Sequence, residues 1–445
     1  MSKFYDLPGS HLPAGSEASP LLTRRQSLTY FRYRDTPVGE QKSSKYDLKN
    51  PHRNKLGTFN GVFVPTALNV LSILMFLRFG FIIGQMGILG TFFLLGVSFL
   101  IDLLTTLSIS AISTNGIVRG GGAYYMISRC LGPEFGGSIG LIFFVGQILN
   151  SGMNIVGIVE PLLYNFGATD GVLAQVLPEG HWYEFLYSTV LLLMCLGVAL
   201  VGSQTVSRAG NVLFWLLLAS TISIPVSVLF VKPFEFNGII YTGPSFAVLK
   251  QNLYPKFTKG AAGSLMKGKE TFNDLFGIFF PATAGIFAGA GMSSELRKPS
   301  KSIPKGTLWG LLLTFVCYSS VILSLGCSVP RASLHEDVQI IQTVSGFQSI
   351  ILVGELSTSV FSVIVGMVGA AYVLEAISKD NILPGISIFG EKPTLCLLSS
   401  WFLTQLCLFS DVNNIPTFIT MTFLITIIVI NMACFLLEIS SAPNF

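Results

Sequence analysis

Long apolar runs, separated by short polar segments, dominate the chain after about residue 60. Each run is near or above the roughly 20 residues that a helix needs to cross a lipid bilayer. The pattern therefore predicts an all-α integral membrane protein with ten transmembrane helices. The ten runs cover residues 62–88, 90–112, 135–165, 185–203, 210–231, 273–293, 306–328, 346–377, 394–410 and 415–438.

The first 60 residues form a polar tail that contains ten of the 27 Lys and Arg residues. Its mixture of charge, Pro, Ser and Gly predicts disorder. Because it lacks the apolar stretch of a secretory signal, we expect it to stay in the cytosol. The predicted organisation is this tail (1–60), a membrane core (61–440) and a last segment (441–445) that continues in a longer protein.

The charges between the runs predict the orientation of the helices. With the tail in the cytosol, the loops after runs two, four, six and eight are cytosolic and carry nine Lys and Arg residues. The short outer loops carry one, Arg331. This asymmetry follows the positive-inside rule. Residues 232–272 hold six Lys, but a segment of this length can be a non-cytosolic loop whatever its charge.

One short pattern in the tail resembles a sorting signal. Glu17 is followed by Leu21 and Leu22, the spacing of an acidic dileucine signal, whose carboxylate and leucines bind a basic and an apolar pocket on a sorting adaptor. The pattern predicts an adaptor as a partner and delivery to an endolysosomal or vacuolar membrane. The alternative is a tail without a sorting function, since short patterns of this kind also arise by chance.

The composition agrees with a membrane protein and argues against an enzyme. Charged residues make up 11% of the chain, whereas soluble domains carry about 25%. The net charge of +4 gives no sign of a nucleic-acid partner. The seven cysteines form no CxxC pair, and the chain has four histidines, so we expect no metal site and no cofactor. We expect no catalytic residues, because no GxSxG, HExxH or Walker pattern is present.

An eight-residue sequence in run one is echoed in run six. Residues 63–70 read FVPTALNV and residues 279–286 read FFPATAGI, with Pro65 and Pro281 in register. The matching runs lie five apart, and an odd number of helices per unit inverts the second unit in the membrane. Matching proline interruptions in two halves of a chain indicate the substrate site of an inverted-repeat transporter. A pair of simply kinked helices is the alternative, since proline is common in membrane helices.

The prolines of this echo free backbone groups that can bind ions. Proline lacks an N–H and clashes with a carbonyl one turn earlier, and unpaired backbone persists at membrane depth only where it lines a cavity. Free carbonyls can ligate a cation, and N–H groups at the start of a half-helix can hold an anion. We expect the carbonyls of Asn69 and Val70 to face a cation. The candidate anion-binding amides are those of Ser72, Ile73, Leu74, Gly285, Ile286 and Phe287.

Four further motifs resemble the cation-chloride cotransporter family. They are GGGAYYMISR at 120–129, LGPEFGG at 131–137, SIPKGT at 302–307 and KDN at 379–381. The resemblance runs from about residue 57 to the end, and the tail and first helix are most similar to a fungal vacuolar branch. It implies a LeuT/APC-type core of five plus five inverted helices, with helices 1 and 6 discontinuous.

The family resemblance also implies a function. It is the electroneutral symport of potassium and chloride, by alternating access, across the vacuolar membrane, with a possible homodimer in the full-length protein. The notable alternatives are a non-transporting partner subunit and a carrier of another cation (a proton or an organic cation) or of an amino acid on the same fold.

Carried over from the family, the potassium ligands are Asn69, Val70 and Pro281, with two departures. Asn154 replaces a usual tyrosine, and Ala284 replaces a usual threonine, although Thr283 stands one position earlier. The chloride sites fall on the amides named above, but Ile427 stands where a tyrosine usually covers the second anion.

The family's sodium site falls on Thr358, Phe361 and Ser362. Because a phenyl ring replaces a hydroxyl, the sequence predicts that this site is lost. The resemblance also places an outer gate ion pair on Arg78 and Asp411, with two charges that never meet as the alternative.

Three carboxylates lie inside apolar runs, namely Asp102, Glu160 and Glu355. Burying a charge in a membrane is costly, so such residues are functional candidates. We interpret Glu160, which Pro161 follows, as a structural group near the outer surface. Glu355 suggests that a proton is the coupling cation, and a glutamate that stays in contact with water is the alternative.

Overall fold

The computed structural model describes residues 55–440, apart from 115–120, 170, 237, 263, 265–267, 381, 383–384, 386 and 410–414. All described residues belong to one compact unit, Lys55–Phe445. The predicted tail as far as residue 54, its sorting pattern at Glu17, Leu21 and Leu22, the gate residue Asp411 and the last segment lie outside the described residues. The end of the predicted tail, residues 55–60, is described, and Phe59 and Asn60 already belong to the first helical turn.

The described chain is almost entirely helical. A π-helical turn at Phe59–Phe63 leads into the first α-helix. The helices are α1 Val64–Val70, α2 Ile73–Thr114, α3 Gly122–Leu131, α4 Pro133–Phe166, α5 His181–Val201, α6 Ser203–Phe230, α7 Phe246–Gln251, α8 Phe272–Thr283, α9 Phe287–Gly291, α10 Pro299–Ser328, α11 Arg331–Glu336, α12 Ile340–Val344, α13 Gln348–Lys379, α14 Ser387–Glu391, α15 Pro393–Cys407 and α16 Ile415–Ile439.

Seven stretches of helix in the described part of the chain are long and apolar enough to cross a membrane. The first of them, Phe59–Thr114, contains the predicted runs one and two. Gly87 divides it, because its φ of 66° interrupts the helical backbone and is a conformation that favours glycine. Run six is split into α8 and α9, and run nine is the 15-residue α15, so these fall below the length of a span. The exact count of ten crossings stays a prediction.

Both predicted breaks in the helices are present. Helix α1 ends at Val70, and Leu71 leaves the helical region with φ −76° and ψ 66°. Helix α8 ends two residues after Pro281, and α9 begins only at Phe287. The missing N–H of each proline affects the turn before it, whereas the breaks lie after Val70 and Thr283.

The two breaks touch each other backbone to backbone. A Cβ atom placed on Gly285 would lie 2.6 Å from the carbonyl carbon of Asn69 and 2.7 Å from the amide nitrogen of Val70. Real Cβ atoms do not come this close, so glycine is required at this crossing. The Tyr318 hydroxyl on α10 ties the breaks together, because it contacts the Val70 carbonyl and the Ala282 carbonyl, the latter at 3.2 Å.

The predicted outer loop, residues 232–272, contains a small β-hairpin and α7. Strands β1 (Phe234–Phe236) and β2 (Ile239–Tyr241) pair antiparallel, with Glu235 opposite Ile240. Asn252, just after α7, donates its side-chain amide to the carbonyls of Gly326 (2.9 Å) and Val329 (2.8 Å) at the end of α10. These bonds satisfy helix-end carbonyls and fix the loop on the helical core.

Candidate functional site

A cavity opens where the two helix breaks meet, and neutral groups form its wall. The breaks contribute backbone and small side chains, α4 contributes amides, and α13 and α16 close the far side. None of the described lining residues carries a charge. The lining includes Asn69, Ser72, Phe143, Gln147, Asn150, Asn154, Pro281, Ala284, Gly285, Phe287, Ser362, Tyr372 and Phe423.

Two amide side chains are arranged to offer oxygen atoms. Asn69 donates its Nδ2 to the Pro65 carbonyl at 2.9 Å, which leaves its Oδ1 as the group available to a ligand. Asn154 donates its Nδ2 to the Asn150 carbonyl at 2.8 Å. Its Oδ1 is buried and accepts no hydrogen bond from the described residues. Such an acceptor is costly to bury unless something binds it.

Of the five predicted cation ligands, three line the cavity and two do not. Asn69, Asn154 and Pro281 are among the lining residues. The Val70 carbonyl instead accepts the Tyr318 hydroxyl. Thr283 donates its hydroxyl to the Phe280 carbonyl at 3.1 Å and lies beside Asp102, behind the break. A shift of Thr283 into the position of Ala284 is therefore absent from this conformation.

The predicted anion-binding amides differ between the two breaks. In the first break, the Ser72 amide donates to the Val70 carbonyl at 2.8 Å, and the Leu74 amide is 3.4 Å from the Ser72 Oγ. In the second break, Gly285 and Phe287 line the cavity, whereas Ile286 is buried. The second break therefore presents its backbone to the cavity, while the first partly satisfies its own amides.

The three residues of the predicted lost sodium site have different surroundings. Thr358 on α13 donates its hydroxyl to the carbonyls of Leu68 (2.9 Å) and Leu71 (2.6 Å) in the first break. Phe361 is 1% exposed and packs against α6, since its ring lies 2.6 Å from a Cβ placed on Gly210. Ser362 lines the cavity. The Thr358 hydroxyl is thus already engaged with the first break.

Arg78 forms an ion pair with Glu160 at 3.6 Å. Its predicted partner, Asp411, is outside the described residues. Glu355 is 0% exposed, and neither of its oxygens has a hydrogen-bond partner in the described part of the chain. The alternative of a glutamate in contact with water is therefore wrong for Glu355.

Sequence reasoning missed several polar residues of the site. Tyr318, which contacts both breaks, stands in an apolar run with no motif around it. Gln147 and Asn150 line the cavity beside Asn154. Their spacing of three and four residues places all three on one helix face. This row of polar residues on one face of an apolar helix was the sequence signal that could have identified them as cavity-lining residues.

Comparisons with known proteins agree with this architecture. The profile of the amino acid permease family matches residues 61–445, and the chain belongs to this family of membrane transporters. Within it, the chain is 67% identical to vacuolar cation-chloride cotransporter 1 of Saccharomyces cerevisiae, over the whole chain and 41% of that protein.

Two more distant relatives are members of solute carrier family 12. Solute carrier family 12 member 9 of Danio rerio is 37% identical over 97% of the chain and 50% of its own length. Solute carrier family 12 member 2 of Squalus acanthias is 29% identical over 94% of the chain and 38% of its own length. The predicted resemblance to the cation-chloride cotransporters is thereby confirmed. The chain spans half or less of the length of these curated relatives.

Proposed function

We propose that this chain is the transport core of a potassium-chloride symporter in a vacuolar membrane. The observation that carries the proposal is the cavity at the two helix breaks, whose described wall offers neutral oxygens and backbone N–H groups and no charge. Potassium is large and weakly hydrated enough to be held by neutral oxygens, as in carbonyl-lined filters. The vacuolar location is supported by the name of the Saccharomyces cerevisiae relative.

The cation site centres on the Oδ1 atoms of Asn69 and Asn154 and on backbone oxygens around Pro281. Val70 and Thr283 lie behind these ligands, outside the cavity lining. Chloride binds near Ser72 and at the amides of the second break. Because one positive and one negative ion travel together, transport is electroneutral. Access alternates as the two broken helices move against the other helices, with the Arg78–Glu160 pair on one route.

Rubidium-86 uptake into vesicles tests this function. We expect uptake in chloride medium and a large loss when gluconate replaces chloride. Asn69→Ala should reduce the uptake, because it removes the side-chain oxygen that Asn69 can offer to the cation. Uptake that ignores chloride would refute the symporter and favour an amino acid or organic cation carrier, which the family profile also fits. Absence of any flux would favour a non-transporting partner subunit.

A further inference from the structure

Asp102 is a wholly buried carboxyl that the proposed mechanism does not use. It lies in the second half of α2, is 0% exposed, and neither of its oxygens has a hydrogen-bond donor among the described residues. Ser98 and Thr106, one turn to either side, also bury a hydroxyl without a partner there. An unpartnered carboxyl in a membrane core costs several kcal/mol when ionised, so a purely structural role does not explain it.

The carboxyl lies directly behind the two helix breaks. Thr283, the last residue of α8, is beside it but directs its hydroxyl to the Phe280 carbonyl. Tyr318 is within electrostatic reach of Asp102. Its hydroxyl contacts the Val70 and Ala282 carbonyls, one from each break. Asp102 is thus one layer of side chains away from the proposed cation site.

No positive side chain in the described part of the chain forms an ion pair with Asp102. Tyr318 on α10 is a titratable group within electrostatic reach of Asp102. Helix α8 carries one charged residue, Asp274, which caps its far end together with Thr271. Helix α16 carries only Glu438, near its end. None of the described ion pairs involves Asp102, and a cation in the cavity is the counter-charge that we consider for it.

We propose that the ionised carboxylate of Asp102 is the counter-charge of the transported cation, and that a proton bound to this carboxyl competes with the cation. The proton comes from the solution to which the cavity is open and returns to the same solution when a monovalent cation occupies the oxygens at the breaks, so no net proton crosses the membrane. In a region of low dielectric, a negative charge one layer away strengthens cation binding considerably. This inference rests on the proposed function, because it concerns the cation site of that transporter.

The linkage between proton binding and cation binding makes the proposal measurable. If the cation favours the ionised carboxyl, protons must weaken cation binding by the same coupling. We expect rubidium affinity of the purified protein in chloride to be constant at alkaline pH. Below the midpoint of the carboxyl it should fall by up to about tenfold for each pH unit. Equilibrium binding of rubidium-86 over a pH series measures this slope without requiring transport.

Three variants test whether Asp102 causes the pH dependence of rubidium affinity. Asp102→Asn mimics the protonated carboxyl and should bind rubidium weakly at every pH, without a slope. Asp102→Glu keeps an ionisable group and should keep a slope. Glu438→Gln is the control, because Glu438 is an exposed carboxylate near the end of α16. It should behave like the unmodified protein.

A flat pH profile in the unmodified protein would overturn the role of Asp102, whether or not Asp102→Asn folds. So would a slope that survives in Asp102→Asn or disappears in Glu438→Gln. Chloride-dependent rubidium binding that is flat in pH would overturn this inference alone. Absence of rubidium binding at every pH would overturn the proposed function together with it.

Discussion

Single residues at the helix breaks decide whether the cavity can exist. Gly285 is the clearest case, because its α-carbon hydrogen points at the backbone of Asn69 and Val70. No side chain fits there without moving one break away from the other. The site thus depends on glycine at position 285 as much as on the amide oxygens.

Gly285→Ala should therefore reduce chloride-dependent rubidium uptake by at least tenfold, since the added methyl group would lie 2.6 Å from a backbone carbon. Uptake per correctly inserted molecule is the measurement. Gly96→Ala is the control, because a Cβ at Gly96 meets nothing within 4 Å and alanine is favourable in a helix. Equal uptake by both variants would contradict the packing argument.

Phe361→Ser tests the prediction that the sodium site is lost. The smaller side chain removes the ring that packs against Gly210 and supplies a hydroxyl near Thr358. Potassium transport should persist, and added sodium should now raise the uptake. Phe361→Leu, which keeps an apolar side chain of similar size, is the control and should show no response to sodium. A sodium response in both variants would remove Phe361 from this site.

At the scale of residues, the sequence predicted backbone roles better than side-chain roles. The positions of Asn69 and Pro281 follow from where proline must interrupt a helix. The direction of the Thr283 side chain does not follow from the sequence, because its hydroxyl can point either to the cavity or to the Phe280 carbonyl. Packing against the neighbouring α2 and α10 decides between these two directions. Tyr318 was missed for the same reason, since its partners are distant in sequence.

The elements outside the membrane contain a half-buried histidine at the end of α11. His335 has no hydrogen-bond partner for either ring nitrogen in the described part of the chain. Burial, and then the positive charges of Arg331 and Lys256, lower the pKa of His335 below its ordinary value. The ring is therefore neutral in the folded protein when an exposed histidine would already be charged.

This histidine should make the outer segment sensitive to acid. Below about pH 6.5 the unfolded chain binds a proton at this ring more readily than the folded chain does. Stability is therefore retained above that pH and falls as the pH falls towards the lowered pKa. His335→Gln should unfold at a more nearly constant temperature across this pH window in a thermal shift assay. His181→Gln, at an exposed histidine, is the control, and an equal effect of both would contradict the prediction.

At the scale of elements, apolar length predicted the long helices and failed for short ones. Helices α4, α10 and α13 fall close to runs three, seven and eight. The ten-residue α3 and the β-hairpin were not predicted as separate elements, because their apolar stretches are too short to show a period. Gly87 was also missed, since a single glycine inside an apolar run gives no sign that two helices meet there.

For the molecule as a whole, the Arg78–Glu160 pair and the cavity lie on the same proposed route. Breaking the pair with Arg78→Ala should make the cavity more accessible from that side. A cysteine introduced by Ser362→Cys, at a lining position, should then react faster with a membrane-impermeant thiol reagent. The seven native cysteines require a background in which they are replaced. An unchanged rate would exclude the pair from gating.

The contact of Tyr318 with both breaks has a consequence for the coupling of the two ions. A single hydroxyl joins the carbonyl at the end of α1 to a carbonyl near the end of α8. We expect this contact to favour movement of the two broken helices as one body and to disfavour a half-loaded carrier in which only one of them moves. Loss of the hydroxyl would then loosen the one-to-one symport of cation and chloride and increase the uncoupled leak of either ion.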